Sequence, residues 1–515
     1  MNNNNLHREN SFSANNLGRS SNSSNSSKHT HLSKLSITTD KLLKSAIHHK
    51  TMKTLDITKS NKSNKTNKHI LLHHQSKKAK KQYRQKIQYY LKKHPDYIEK
   101  LISVYYDNDK CVSKYLDTAH HRMHILPLAR RIIVIGDIHG DFDVAVKCLI
   151  LAGCIAPIEP PAIKTIENMD AFFKKLKWIG ADTHVVQLGD QIDRVRPRRW
   201  DRNSISQTKA HEDEGSTLEI FYLFWHLNFL AQQAVPEAGA VHCIIGNHEI
   251  MNVEGDFSYV SSAEFYSFKN HLSTVYYPNS KYPYHSRTLK NTKNTSKSKG
   301  LPDGYRERLY AFSPTGLCSN FMAQNYYTLL QIGNWLFCHG SPILSTFASY
   351  EIDLINTITS MYLLGLDSRT HTQGTDTIEY HFDKIMNNDT DSRIPTSLIW
   401  SRTFGEIQPT QSIQELDTMF DTILDAYNKK NNNTSLQNKA THIAIGHTPQ
   451  IHNNKQLGIN SICNNRVWRC DVAMSKAFTN KDNFFKDNSF KDNSNKKRNI
   501  QVLEIIDNMP HILTN

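Results

Sequence analysis

Five short apolar runs, spread between residues 131 and 450, each stop abruptly at small and polar residues. They are RIIVIGDIHG (131–140), HVVQLGDQIDR (184–194), AVHCIIGNHE (240–249), WLFCHGS (335–341) and HIAIGHTPQ (442–450). The apolar parts are too short and too rich in branched side chains for helices. Their continuous apolar character fits strands buried on both faces. Between them lie stretches with helical spacing: DVAVKCLILAG (143–153), STLEIFYLFWHLNFLAQQAV (216–235) and SYEIDLINTITSMYLLG (349–365). Strands alternating with helices predict a layered α/β domain, in which ligands bind beyond the carboxyl ends of the strands. Every polar motif falls at such an end.

The polar residues form a chemically coherent set. Asp137 and His139 leave the first run two positions apart. Asp190, Asp193 and Arg194 follow the second, Asn247, His248 and Glu249 the third, His339 the fourth and His447 the fifth. Carboxylates, imidazoles and an amide without thiolates suit manganese, iron or zinc. Two such cations can clamp both oxygens of a displacement at phosphorus and acidify a water between them, so that no Ser or Cys nucleophile is needed. Glycines beside the ligands allow tight turns and close backbone approach.

GDIHG, GDQIDR, GNHE, HG and GHT together resemble the signature of the calcineurin-like metallophosphoesterase superfamily, and within it the phosphoprotein phosphatase group. THVVQLGDQIDR, GNHEIMNVEGDFSYV, LIWSR and WRCDVAMSKAF bring the chain closer to the Shewanella-like phosphatases. The resemblance spans about 125–478 and a last strand at 500–506. It implies a two-sheet α/β sandwich flanked by helices. It also implies a dinuclear site: Asp137 and His139 on the first metal, Asp190 bridging, and Asn247, His339 and His447 on the second. Two divalent ions are expected, with manganese favoured over iron or zinc. His248 would be the general acid, held by Asp193. Arg194, Asn247 and, in LIWSR, Arg402 would bind phosphate. The chain departs from the pattern where HGS replaces HGG and where Val195 replaces a glycine after Arg194.

The implied reaction is hydrolysis of phosphomonoesters by metal-bound hydroxide. The substrate is a phosphoprotein or a phosphorylated small molecule; Ser/Thr versus Tyr stays open. A nucleotide or dinucleoside polyphosphate esterase is the second reading, and a non-catalytic metal-binding module the third. Asp193 and Arg194 also read as a structural ion pair. Arg196, Arg198 and Arg199 read equally as a basic mouth or a solvated loop. His184, His226 and His242 read as ordinary partly buried histidines.

The net charge of +15 invites a nucleic-acid reading. Residues 1–100, however, carry 21 Lys and Arg against five acids, and the rest of the chain 42 against 43. The basicity belongs to an Asn-, Ser- and Lys-rich tail over 1–80, expected to be disordered. The tail is either an inert solvated segment or a weak contact for polyanions. Residues 81–125 read as a helical extension with a break at Pro95, and 126–515 as the metallophosphoesterase domain. Low-complexity insertions near 291–300, 429–439 and 479–499 read as solvated loops. Eight scattered cysteines and the lack of a targeting segment or membrane span point to the cytoplasm.

Overall fold

All five apolar runs form strands in the computed structural model. It describes residues 123–515, apart from 163, 165, 197–214, 236–237, 273–300, 315, 366–377, 387–396, 407–411, 434–438, 453–454 and 479–498. The basic tail, nearly all of the 81–125 extension, Arg198, Arg199, and the stretches 291–300 and 479–498 lie outside the described residues.

The strands are β1 (Ile125–Leu126), β2 (Arg131–Ile135), β3 (His184–Gln187), β4 (Ala240–Ile244), β5 (Tyr326–Tyr327), β6 (Leu329–Ile332) and β7 (Trp335–Cys338). They continue with β8 (His442–Ile445), β9 (Ile451–His452), β10 (Lys455–Gln456), β11 (Asn460–Ile462), β12 (Val467–Arg469), β13 (Gln501–Ile506) and β14 (Met509–Thr514). One six-stranded mixed sheet has the order β14-β13-β2-β3-β4-β5, the other β1-β6-β7-β8-β12-β11, and β9 and β10 form a separate hairpin. Strands β2, β3, β4 and β5 run parallel, as do β7, β8 and β12. The motif-bearing ends of each set therefore point the same way.

Burial follows the apolar pattern. Ile132, Ile133, Val134 and Ile135 are all buried, so β2 is covered on both faces. The three stretches of helical spacing form the helices Phe142–Leu151, Thr217–Gln232 and Ile352–Leu363. Trp335 of β7 is fully buried, and its Nε1 donates to Asn508 Oδ1 at 2.6 Å. Asn508 lies in the turn between β13 and β14, so this bond ties the two sheets together. Asp507 and Asn508 both have positive φ, as a two-residue hairpin turn requires. The seven described cysteines are buried thiols.

The reading of 429–439 as a solvated loop needs correction at its start. Lys429 and Lys430 close the helix Ile413–Lys430, and Asn433 is buried, donating to Gln331 Oε1 at 3.1 Å. The helix was hidden because most of its residues are polar; its buried face is the apolar stripe of Leu416, Phe420, Ile423, Leu424 and Tyr427, with Asn428 beside it.

The two sheets meet closely at the motif end. A Cβ on Gly136, which follows β2, would stand 2.1 Å from the Cys470 carbonyl oxygen that follows β12. Gly136→Ala is therefore expected to lower stability by about 1–3 kcal/mol. Urea unfolding measures this, and an unchanged midpoint would contradict the close approach.

Candidate active site

The ends of β2, β3, β4, β7 and β8 deliver their side chains to one buried place. The third and second motifs are packed backbone to side chain. A Cβ on Gly246 would fall 2.3 Å from both the amide nitrogen and Oδ1 of Asp190, so only glycine lets the two loops approach. Glu249, in the first turn of the helix Asn247–Val253, then accepts from the amides of Asp190, Gln191 and Gly246 at 2.9, 2.9 and 2.8 Å. One buried carboxylate thus fixes the loop that carries Asp190.

Asp190 is the hub. Its Oδ1 lies 3.2 Å from His339 Nε2 and accepts from the His248 amide at 3.0 Å. Its Oδ2 lies 3.8 Å from His248 Nε2 and 4.0 Å from His139 Nε2. His139, Asp190 and His248 present donor atoms all within 4.8 Å of one another, and so do Asp190, His339 and His447. Asp137 joins through its Oδ2, 3.9 Å from His139 Nε2 and 3.1 Å from the His447 amide. Asn247 Oδ1 lies 2.9 Å from His339 Nε2. The far nitrogens of the imidazoles are held by backbone: His339 Nδ1 by Leu188 O at 2.8 Å and His447 Nε2 by Trp400 O at 3.1 Å. These bonds aim the remaining ring nitrogens inward.

His248 is anchored differently. Its Nδ1 meets Asp193 Oδ2 at 2.9 Å. Asp193 also accepts from Asn252 Nδ2 at 3.0 Å and from Arg308 Nη2 at 3.2 Å, all fully buried. Glu264 holds the Asp193 and Arg194 amides at 2.9 and 3.1 Å. His139, Asp190, Asp193 and His447 all have positive φ, an unfavourable conformation for such residues that the surrounding hydrogen bonds maintain.

The arginines divide. Arg402 is exposed, and its Nη1 donates to the His447 carbonyl at 3.0 Å. Arg194 has a fully buried side chain, with Nη1 3.6 Å from Asp141 Oδ2 and 3.5 Å from the His139 carbonyl. Arg196 is also buried, so the solvated-loop reading does not hold for it. His184, partly buried, and His242, buried, hydrogen-bond each other at 3.1 Å on neighbouring strands, away from the metal-ligand motifs.

Electrostatics set the protonation states. Burial, the Asp471 carboxylate and Asp190 push Asp137 well above the usual range. Burial and Asp190 raise Glu249 to about 7, and burial raises Asp471 to about 6. Burial would raise Asp190 too, but His339, His248 and His139 outweigh it and hold Asp190 well below its ordinary value. Burial, then Arg196 for His139 and Arg402 for His447, depresses both imidazoles, which favours the neutral form that ligates metals. Asp471 Oδ2 has no hydrogen-bond partner. Four buried carboxylates (Asp137, Asp190, Glu249 and Asp471), hard oxygen and imidazole donors, and an orphaned carboxylate oxygen fit divalent cations.

Sequence reasoning gave Glu249 no role of its own and missed Glu264, Asn252, Arg308 and Asp471 as parts of this site. Their work is on backbone amides and second partners, which spacing does not reveal. Glu249 lay inside the GNHE motif, Asn252 inside GNHEIMNVEGDFSYV and Asp471 inside WRCDVAMSKAF, while Glu264 and Arg308 carried no such signal.

A buried carboxylate–imidazole cluster at the strand ends of two mixed sheets defines the class as a metal-dependent phosphoesterase. The chain belongs to the calcineurin-like phosphoesterase family, whose model matches residues 130–458. The family uses divalent metals, and the protein is a hydrolase of the metallophosphoesterase superfamily. It is 25% identical over 359 residues to Shewanella-like protein phosphatase 2 of Arabidopsis thaliana, covering 67% of this chain and 72% of that one. It is 25% identical to Shewanella-like protein phosphatase 1 of Plasmodium berghei, covering 75% and 77%. Among solved structures it matches the cold-active protein-tyrosine phosphatase of a psychrophilic Shewanella at 18% identity and a TM-score of 0.40, covering 76% and 82%.

The raised carboxyls predict a pH response of the metal-stripped protein. Above about pH 6.5 the folded state still holds protons on Glu249, raised to about 7, and on His339, raised by Asp190, that the unfolded chain has released. Stability is therefore lost as pH rises from about 6.5 to 8. Cations compete with those protons, so added manganese is expected to raise the thermal midpoint more at pH 8 than at pH 6.5. A midpoint of the stripped protein that rises over this interval would contradict the assignment.

Proposed function

We propose that the protein hydrolyses phosphomonoesters on phosphoproteins, using two divalent cations with manganese favoured. The observation that carries this reading is the sharing of Asp190 between two candidate metal-binding groups. In this reading Asp137, His139 and Asp190 hold one cation, and Asp190, Asn247, His339 and His447 the other. When bound, such cations supply Lewis acidity that polarises the ester and acidifies water. The phosphoprotein substrate is supported by the similarity to the Arabidopsis and Plasmodium protein phosphatases.

The chain's own residues supply the rest. His248 donates a proton from Nε2 to the departing oxygen. Asp193, on Nδ1, fixes the ring's orientation and stabilises its charged form. Asn252 and Arg308 hold Asp193 in place by donating to it, since a buried carboxylate needs such partners. Arg402 attracts the phosphate at the exposed side.

Two measurements test this. Phosphate release by manganese-loaded protein is compared on phosphoserine, phosphothreonine and phosphotyrosine peptides and on a dinucleoside polyphosphate. Turnover of peptides is expected; turnover of the nucleotide alone would replace the substrate assignment. His248→Asn is expected to lower kcat by about a hundredfold or more. The loss should be greater for an alkyl phosphate, whose leaving oxygen needs a proton, than for p-nitrophenyl phosphate. An equal loss on both would remove His248 as the acid.

A further inference from the structure

Arg196 stands in a place that neither the motifs nor the proposed mechanism has used. Its guanidinium lies 4.9 Å from the centre of the Phe478 ring and 5.8 Å from that of Tyr259. Each ring packs edge-on against a site histidine: Phe478 on His139 at 5.5 Å, and Tyr259 on His248 at 4.8 Å. The two imidazoles are themselves 5.0 Å apart. The cation is thereby fixed beside the pair of histidines that face Asp190.

The backbone explains how it gets there. Val195, where the family pattern has glycine, donates its amide to the Tyr259 carbonyl at 2.9 Å. The chain beyond Arg194 therefore runs alongside Tyr259, and the next side chain is Arg196. Nη1 of Arg196 donates to the carbonyls of Asp193 and Val195 at 3.0 and 2.8 Å. Nη2 is buried and has no hydrogen-bond partner. A buried, charged donor without an acceptor is costly, and an anionic ligand is the natural acceptor. The Tyr259 phenol is raised by burial and drawn back by both Arg196 and Arg402, which brackets it between the two cations. Arg194, by contrast, turns its guanidinium toward Asp141, whose Oδ1 caps the helix Phe142–Leu151.

We propose that Arg196, clasped between Tyr259 and Phe478, binds the phosphoryl oxygens of the substrate together with Arg402, while Arg194 braces the loop of Asp137 and His139. A guanidinium fork matches two phosphate oxygens, and the aromatic walls restrict it to one orientation. The inference rests on the phosphoesterase reading above, and its test separates the two.

Binding of inorganic phosphate to manganese-loaded protein is measured by calorimetry, alongside its inhibition of p-nitrophenyl phosphate turnover. Arg196→Gln is expected to weaken phosphate binding about ten- to a hundredfold. Arg196→Met keeps an apolar stem between the rings and serves if the Gln variant does not fold. Arg194→Gln should give the larger drop in thermal midpoint, and Arg196→Gln the larger loss of phosphate affinity. The reverse ranking would return the phosphate contact to Arg194 and overturn the inference. So would wild-type phosphate affinity in a folded Arg196 variant, with wild-type turnover intact. A wild-type protein that neither binds phosphate nor turns over any ester would defeat the phosphoesterase reading itself.

Discussion

The interaction on which everything else depends is the meeting of buried Asp190 with imidazoles from three different motifs. A carboxylate taken out of solvent is costly unless charge and hydrogen bonds compensate it. Here His339 lies 3.2 Å away and two further histidines stand at 3.8 and 4.0 Å. The surroundings do not neutralise the cluster, because Asp137, Glu249 and Asp471 are buried beside it and their carboxyls are all pushed upward. The protein has gathered more acidic groups than it can compensate by itself. That imbalance is the physical argument for cations at this place.

Holding such a cluster requires a rigid frame, and the fold supplies it in layers. Strands buried on both faces fix where each motif begins. Carboxylates then fix where each loop goes. Glu249 gathers three amides around Asp190, Glu264 holds the Asp193–Arg194 amides, and Asp141 caps the helix after the first motif while accepting from the Lys476 amide at 2.9 Å. Four of the site residues sit in the left-handed backbone region, where a relaxed chain would not keep them. The stability lost there is recovered in the apolar core beneath.

What could be read from the sequence follows from what repeats locally. The five strand-end motifs were legible because an apolar run, a turn and a polar pair occupy adjacent positions. The three most apolar helices were legible for the same reason. The short strands β5, β6, β11 and β12 were not, since two to four residues carry little periodicity. Strand β14 was obscured by Pro510, tolerated because β14 pairs on one side only. Among site residues, the expected ligands converge, but the supporting partners Glu264 and Arg308 come from helices with no motif of their own, and Asn252 stands one turn beyond the GNHE motif on the same helix. The arginines show the limit most clearly. Arg194 carries the motif, yet the backbone beyond it runs along Tyr259 and places the guanidinium of Arg196, whose Nη2 has no hydrogen-bond partner, beside the histidines.

The account stands or falls on whether Asp190 organises metal-dependent chemistry. The most direct measurement is phosphate release from p-nitrophenyl phosphate by metal-stripped protein refilled with manganese, comparing wild type with Asp190→Asn. The substitution keeps the shape of the side chain and removes the shared charge. The account predicts turnover in wild type that appears only with metal and falls to the metal-free background in the variant. Equal turnover by the two proteins would contradict it.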